Sequence, residues 1–483
     1  MATVPPPDAP ADLPVSETPE SGIGRSLAIL AVGSALFMQF IDQTALSTAL
    51  PTLAKAFHIE PINLKLVLTS YILVQAVVVP ASGWAADRYG ARRVFVTCMA
   101  VFLLGSVLCG LSRTLGELVL FRILQGAGAG MLIPVSRIIV VGNSPREHLV
   151  RSMALLTTPA MVGPVIGPPL TGLILKVASW PWIFYINVPV CLLGMLAIWK
   201  FVPKVRQPHP GPFDTFGFVL AAVAMATTMG LAETLGFDLV PWTVQAAAGV
   251  IAVASTAAFI HHALHAERPV LDLRLFRKRS FRASMIGGTL VRLGIGATPF
   301  LMPLLIQIGL GWTPLQAGLL TTAMAVGALI SRPLASGTMR RLGFRTVLVS
   351  TAILLSALTA APGFFRGSTP VWVMAVVLAL GGFMRATQFT ASNALSFVDL
   401  EQREVTAASS LSAVVLQLSI SFGITVGGLV LQLGRIGSGG HIAPSQFVLP
   451  FVVVGVLSVL AAPVYLRLPR DVGQDITGHR RVR

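Results

Sequence analysis

The feature that most constrains this chain is a train of fourteen apolar runs separated by charged or Pro/Gly-rich breaks. A helix rises about 1.5 Å per residue, so a run of roughly 20 residues crosses a hydrocarbon core of about 30 Å. The runs fall at 26–50, 64–86, 93–112, 115–141, 149–177, 180–201 and 213–235. They continue at 242–263, 281–307, 314–335, 344–364, 369–396, 404–435 and 445–467. Only 11% of residues are charged and 54% are hydrophobic, where a soluble domain carries about 25% charge. The sequence therefore predicts an all-α integral membrane protein whose two termini share one side.

Residues 1–24 break this pattern. They are Pro-rich, carry Asp8, Asp12, Glu17 and Glu20, and lack a large aromatic residue. A disordered tail is expected there, with neither the basic start nor the apolar stretch of a cleavable signal. Cys98, Cys109 and Cys191 all lie inside apolar runs and show no pairing pattern, so buried free thiols are expected.

The net charge of +16 invites a nucleic-acid reading, but its distribution opposes one. Of the 35 Lys and Arg, five sit inside runs: Arg122, Arg137, Arg292, Arg332 and Arg385. Six fall on one set of connections: Lys55, Lys65, Arg113, Lys176, Arg366 and Arg435. The other 24 lie on the opposite set, together with the tails. That asymmetry is the positive-inside signature and puts both termini in the cytoplasm. The basic excess faces anionic lipid headgroups, and no nucleic-acid partner is expected. The longest such connection carries Arg274, Arg277, Lys278 and Arg279 and reads as an interfacial linker. His261, His262 and His265 precede it; a wet helix end explains them better than a metal site.

Three short matches relate the first six runs to the last six. Gly90 in Gly83–Arg92 matches Gly343 in Ser336–Arg345 at an offset of 253. Arg122-x2-Gln125 matches Arg385-x2-Gln388 at 263, and Gly163-x3-Gly167 matches Gly423-x3-Gly427 at 260. Nearly constant offsets imply a parallel duplication, the architecture of transporters that rock around a central site. The implied organisation is a tail at 1–24, a six-helix bundle at 25–207, an inserted helix pair at 208–265, a basic linker at 266–280, a second six-helix bundle at 281–468 and a tail at 469–483.

These residues carry a family resemblance. Gly83–Arg93 resembles the loop motif between helices 2 and 3 of the major facilitator superfamily. Ile41–Pro51, Leu118-x3-Arg122-x2-Gln125-Gly126-x-Gly128, Gly163–Pro168 and Trp180–Pro189 are similar to motifs of its fourteen-span drug:proton antiporters. Pro168 departs from the Gly-Gly ending of the helix-5 motif, and a different gating kink is expected there. The resemblance implies a major facilitator fold of two six-helix bundles plus two central helices. It also implies a multidrug-type exporter in the bacterial inner membrane, exchanging a small molecule for protons without a prosthetic group. One chain suffices for such a machine; the sequence leaves oligomeric state open. The resemblance implies further that Asp87 docks on the N-terminus of span 13, with Arg88, Arg92 and Arg93 meeting Asp399, Glu401 or Glu404. With Gly83, Gly90, Gly163, Pro164, Gly167 and Pro168, these form the expected gating set.

Charges at membrane depth are costly and functional by default. Asp42 lies about 12 Å and Arg122 about 10 Å from the same side by helical rise. They are level, and a salt bridge that alternates with separation is expected: a carboxylate parted from its arginine takes a proton, and re-pairing releases it. A static pair is the competing reading. Gln39, Arg292, Arg385, Gln388 and Asn393 are the expected cargo contacts, Arg137 and Arg332 are expected to snorkel, and Glu233 is expected at the interface. Deep arginines outnumber the single deep acid, so an anionic metabolite or metal–carboxylate chelate stands as the alternative cargo. No Gly-x4-Gly-Lys-Ser/Thr loop supports an ATP-driven pump, no catalytic cluster marks an enzyme, and a non-transporting receptor on this scaffold remains a further alternative.

Overall fold

In the computed structural model, fourteen helices among the described residues are long and apolar enough to cross a membrane. The description covers residues 22–144, 148–202, 211–234, 241–436, 443–469 and 472. The first bundle comprises Ser26–Phe57 (span 1), Pro61–Tyr89 (span 2), Ala91–Leu111 (span 3), Leu115–Asn143 (span 4), Arg151–Val177 (span 5) and Trp182–Phe201 (span 6). Thr215–Thr234 (span 7) and Trp242–His265 (span 8) follow. The second bundle comprises Arg279–Gly309 (span 9), Pro314–Ala335 (span 10), Gly337–Phe364 (span 11), Val371–Leu395 (span 12), Val405–Arg435 (span 13) and Pro444–Leu466 (span 14). Most of the tails expected at 1–24 and 469–483 lie outside the described residues, as do Arg146, Lys204 and Arg206.

The chain starts span 1 and ends span 14 on the same face, where the basic connections gather; this is the basic face, and its opposite is the far face. Of the boundaries that differ from the hydropathy reading, two bear on buried residues discussed below. Span 1 runs on to Phe57 with Pro51 inside the helix, because Leu53 and Ala54 keep burying apolar surface there. Span 2 begins earlier, at Pro61, and Lys65, counted above with the connections, is a buried helix residue, 1% exposed.

The duplication has a backbone counterpart. Gly90 (φ 89°), between spans 2 and 3, and Gly343 (φ 77°), at the kink near the start of span 11, both occupy the left-handed region. Only glycine adopts such a φ without strain. Gly163 and Gly167 let span 5 lie against Phe37, Phe40 and Thr44 of span 1. Gly423 and Gly427 do the same for span 13 against Leu293 and Ala297 of span 9.

Four apolar cores reveal how the halves meet. On the far face one core joins both bundles, with Leu46, Leu50, Leu53 and Leu64 packed among Phe300, Leu304, Leu320, Phe447 and Phe451. On the basic face the bundles keep separate cores. One is built on Val32, Phe95, Phe102 and Val135, the other on Val291, Phe344, Leu348 and Tyr465. The bundles thus converge on the far side and, among the described residues, hold no common core on the basic side.

Spans 7 and 8 pack chiefly on each other and are the most exposed pair. Near the basic face Ala221 and Phe259 share a fourth core with Leu275 of the linker, Phe281 of span 9 and Leu411 of span 13. Asp214 clasps this corner, accepting from Gly217 N (2.9 Å) and Val270 N (3.1 Å) and lying 2.9 Å from His262 Nε2. Burial alone would push its carboxyl up, but these bonds outweigh burial and hold it below its ordinary value. His262 is thereby accounted for, and no metal-ligating cluster occurs among the described residues.

Glycine function separates into two kinds here. Gly90→Ala or Gly343→Ala should each cost about 1–3 kcal/mol through backbone strain. Gly83→Ala, with nothing within 4 Å of the added carbon, should be neutral or stabilise the helix by about 0.5–1 kcal/mol. Thermal melts of the three purified variants in detergent test this ordering.

Candidate functional site

The polar centre of the first bundle is built by helix contacts that only small residues permit. Span 4 carries Gly126 and Gly128; a methyl on either would fall 2.7 Å from the Tyr71 carbonyl oxygen or 2.5 Å from the Cys98 carbonyl oxygen. Spans 2 and 3 therefore close directly on span 4, one turn beyond Arg122. Arg122 is fully buried. Its Nη1 donates to Asp42 Oδ2 at 2.6 Å and lies 2.6 Å from Gln125 Oε1. Its Nε reaches the Val67 carbonyl at 3.4 Å, and its guanidinium carbon stands 3.8 Å from the Tyr71 ring centroid. The cation is met by a carboxylate, an amide oxygen and a π face, and every partner lies within the bundle.

Asp42 is held as firmly. Its Oδ1 accepts from Gln125 Nε2 at 2.9 Å and from Asn187 Nδ2 at 3.2 Å. Asn187 also donates to Ser106 Oγ at 2.8 Å, and Ser106 donates to the Phe184 carbonyl at 3.0 Å. Spans 1, 2, 3, 4 and 6 thus contribute to one network in which each named side chain is buried. The structure brings Asp42 and Arg122 together, as their equal depth suggests, but inside the first bundle rather than on an open cavity wall. Gln125, Asn187, Ser106 and Tyr71 are the members that charge counting overlooks. The available signal was polarity at membrane depth, since Gln125 and Asn187 both sit inside the motifs quoted above.

The second bundle answers differently. Arg385, the repeat counterpart of Arg122, lines an apolar cavity with Ile295, Met324, Leu355, Val377 and Phe451, and its Nη1 approaches Met324 Sδ at 3.7 Å. Arg292 is 7% exposed, and its Nη1 has no hydrogen-bond partner among the described residues. Gln388 accepts from Thr351 Oγ1 and donates to the Tyr465 hydroxyl at 3.2 Å. Gln39 is buried with its Oε1 unpartnered among the described residues. Asn393 is exposed. Arg137 and Arg332 are exposed, as snorkelling requires.

The gating set is partly engaged. Asp87 is half-buried and Arg88 exposed, with no hydrogen bond or ion pair to either among the described residues. Arg92 turns back within its own bundle, donating to the Trp199 carbonyl and lying over the Trp199 ring. The acids expected to receive these arginines face the linker side instead. Asp399 accepts from Ser280 N at 3.0 Å and Oγ at 2.6 Å, and Glu404 pairs with Lys278 at 3.4 Å. The expected contacts between Arg92 and these acids are therefore not formed among the described residues.

Pro164 and Pro168 lie, with Pro159 and Pro169, inside one continuous helix, Leu149–Val177. Pro169 lacks the N–H that would serve the Val165 carbonyl four residues back. Thr322 Oγ1 of span 10 reaches that carbonyl at 3.3 Å, and its own Gly318 carbonyl at 2.9 Å. Proline-freed backbone is thus served across the bundle boundary, as a membrane interior demands.

The two charges of the buried pair are not equivalent in isolation. A stranded carboxyl can bind a proton and become neutral, whereas a stranded guanidinium stays charged. Asp42→Leu should therefore destabilise by about 3–5 kcal/mol and Arg122→Leu by distinctly less. Thermal denaturation of both variants in lipid nanodiscs decides this; equal losses would mean that the pair contributes only packing.

The sequence profile of the Major Facilitator Superfamily matches residues 32–271 and 284–481. MdtD of Escherichia coli O6:K15:H31 (strain 536 / UPEC), named for multidrug resistance, is 38% identical over 480 residues, 97% of this chain and 99% of that protein. MdtD of Escherichia coli strain K12 is 37% identical over 465 residues, 95% and 97% of the two chains. Among solved structures, the inward-facing, unoccupied form of a bacterial homolog of the human lysosomal transporter Spinster superposes with a TM-score of 0.64 at 15% identity, covering 92% of this chain and 97% of that one. Sequence profile, full-length relatives and fold agree that the chain belongs to the Major Facilitator Superfamily.

Proposed function

We propose that this chain, a membrane transporter and not an enzyme by family, exports small amphipathic molecules in exchange for protons. The observation that carries this reading is the buried Asp42–Arg122 pair with its five-helix network. A carboxylate that loses its cation at membrane depth is stabilised by a proton. Motion that parts the pair loads the proton, and motion that restores it expels the proton. The relatives' multidrug-resistance name supports small amphipathic cargo. The basic connections support a bacterial cytoplasmic membrane setting with both termini inside.

On that orientation the far face is the outer one, and this is the conformation closed to the outside. The common far-side core and the separate basic-side cores support the assignment. So do the vacant neighbourhood of Gly83 and the unengaged Asp87, which belong to a latch that closes in the opposite state.

A second reading concerns the cargo's charge. Between Phe281 and Val398 the sequence contains no Asp or Glu, yet Arg292 and Arg385 lie there at membrane depth. Uncompensated guanidinium favours an anionic cargo such as a carboxylate metabolite or its metal chelate.

The test is proton flux in proteoliposomes loaded with a pH dye. Lipophilic cations should move protons through the wild-type protein, and Asp42→Asn, folded by melting temperature, should reduce that flux at least tenfold. Undiminished flux in Asp42→Asn contradicts the coupling role. Flux triggered only by carboxylates selects the second reading.

A further inference from the structure

The inserted helix pair carries a buried ion pair that proton exchange at Asp42 does not use. Near the far face, Lys65 of span 2 and Glu233 of span 7 are 1% and 7% exposed. Lys65 Nζ lies 3.1 Å from Glu233 Oε2 and 3.4 Å from the Glu233 carbonyl. Thr425 of span 13 donates to Glu233 Oε1 at 2.5 Å. A methyl on Gly428, one turn further along span 13, would fall 2.9 Å from Lys65 Cδ, so a glycine there makes room for the lysine stem. Glu233 is thus no interfacial charge: it is the point where the first bundle, the inserted pair and the second bundle meet.

The two sides of this junction belong to different bodies. Span 7 meets the first bundle through span 2, where Trp84 Nε1 donates to the Gly211 carbonyl at 2.9 Å and the Trp84 ring lies 5.0 Å from that of Phe213. It is tied to the second bundle twice. Thr425 holds it near the far face, and the core of Ala221, Phe259, Phe281 and Leu411 holds it near the basic face. Lys65 belongs to the first bundle. If span 7 moves with the second bundle, rocking of one bundle against the other leaves Glu233–Thr425 intact and breaks Lys65–Glu233. Among the described residues, other polar contacts across the seam between the bundles include Arg435 with Glu60, which is 55% exposed, and Gln307 Nε2 donating to the Thr48 carbonyl at 2.8 Å. They also include Gln417 Nε2 donating to Gln75 Oε1 at 2.5 Å and Thr322 Oγ1 donating to the Val165 carbonyl at 3.3 Å. Of the ion pairs at this seam, the one shielded from water is the stronger restraint, because screening leaves exposed pairs little net energy and removal of one partner from a buried pair leaves an uncompensated charge. Span 8, packed against span 7, carries no Asp, Glu, Lys or Arg that could substitute.

We propose that Lys65–Glu233 is the outer latch of the transport cycle, with Glu233 delivered by the inserted helix pair on behalf of the second bundle. Spans 7 and 8 then have a positioning role in alternating access. This rests on the alternating-access reading above, and concerns which contact holds the outside shut.

The experiment is pulsed electron–electron distance measurement on the full-length protein in lipid nanodiscs. Spin labels at Arg113→Cys and Ser368→Cys, which are exposed on far-side connections of opposite bundles, report the outer opening; the native cysteines are buried. Wild type should show mainly the short distance. Glu233→Gln and Lys65→Met should each at least triple the long-distance population, and the exchange Lys65→Glu with Glu233→Lys should restore the short one. A distribution unchanged in Glu233→Gln, or an exchange that leaves the outer side open, overturns the latch. Proton flux is scored separately. A latch that responds as expected in a protein that moves no protons would sink the exporter reading and leave the latch standing. Full flux with an unmoved distribution would do the reverse.

Discussion

Burial of charge in a bilayer is the constraint on which the rest of this structure depends. Neither Asp42 nor Arg122 is affordable alone at its depth, since a charge stripped of water and partner costs several kcal/mol. Together they require donors for the remaining carboxylate lone pairs and acceptors for the remaining guanidinium protons. Gln125, Asn187, Ser106 and the Val67 carbonyl supply these. That requirement in turn fixes how five helices pack. Glycines 126 and 128 exist to let spans 2 and 3 approach closely enough for the network to close. The glycines of span 4 and the buried ion pair are one device.

The duplication places Arg122 and Arg385 alike in sequence but not in chemistry. The first bundle keeps an acid opposite its arginine, and the second has none in its spans. The halves have therefore divided the work that a symmetric pair would share. The buried carboxylate resides in the first bundle, and Arg385 of the second lines an apolar cavity. Gly90 and Gly343 keep the same left-handed turn in both halves, because that turn serves the fold and not the chemistry.

Much of this was legible in the sequence for identifiable reasons. Fourteen spans follow from hydropathy, since bilayer thickness sets helix length. Asp42 and Arg122 could be matched because helical rise converts residue number into depth. Asn187 and Gln125 were not assigned, since neutral amides do not stand out by charge and their partners come from distant spans. Lys65 and Glu233 were misplaced for the opposite reason. Each lies near a span end, where a charge ordinarily reaches water, and only the tertiary contact of spans 2, 7 and 13 reveals that both are buried. The Asp87 contacts that the family resemblance implies are not formed among the described residues.

The central claim is that the Asp42 carboxyl is ionised when the outside is closed and protonated when it is open. Infrared difference spectroscopy tests it most directly, on protein cross-linked shut at its far face and on protein locked open there. The account predicts a protonated-carboxyl band in the open form only, and its loss in Asp42→Asn. An Asp42 carboxylate that remains ionised in both forms would contradict the account, leaving the pair a static brace within the first bundle.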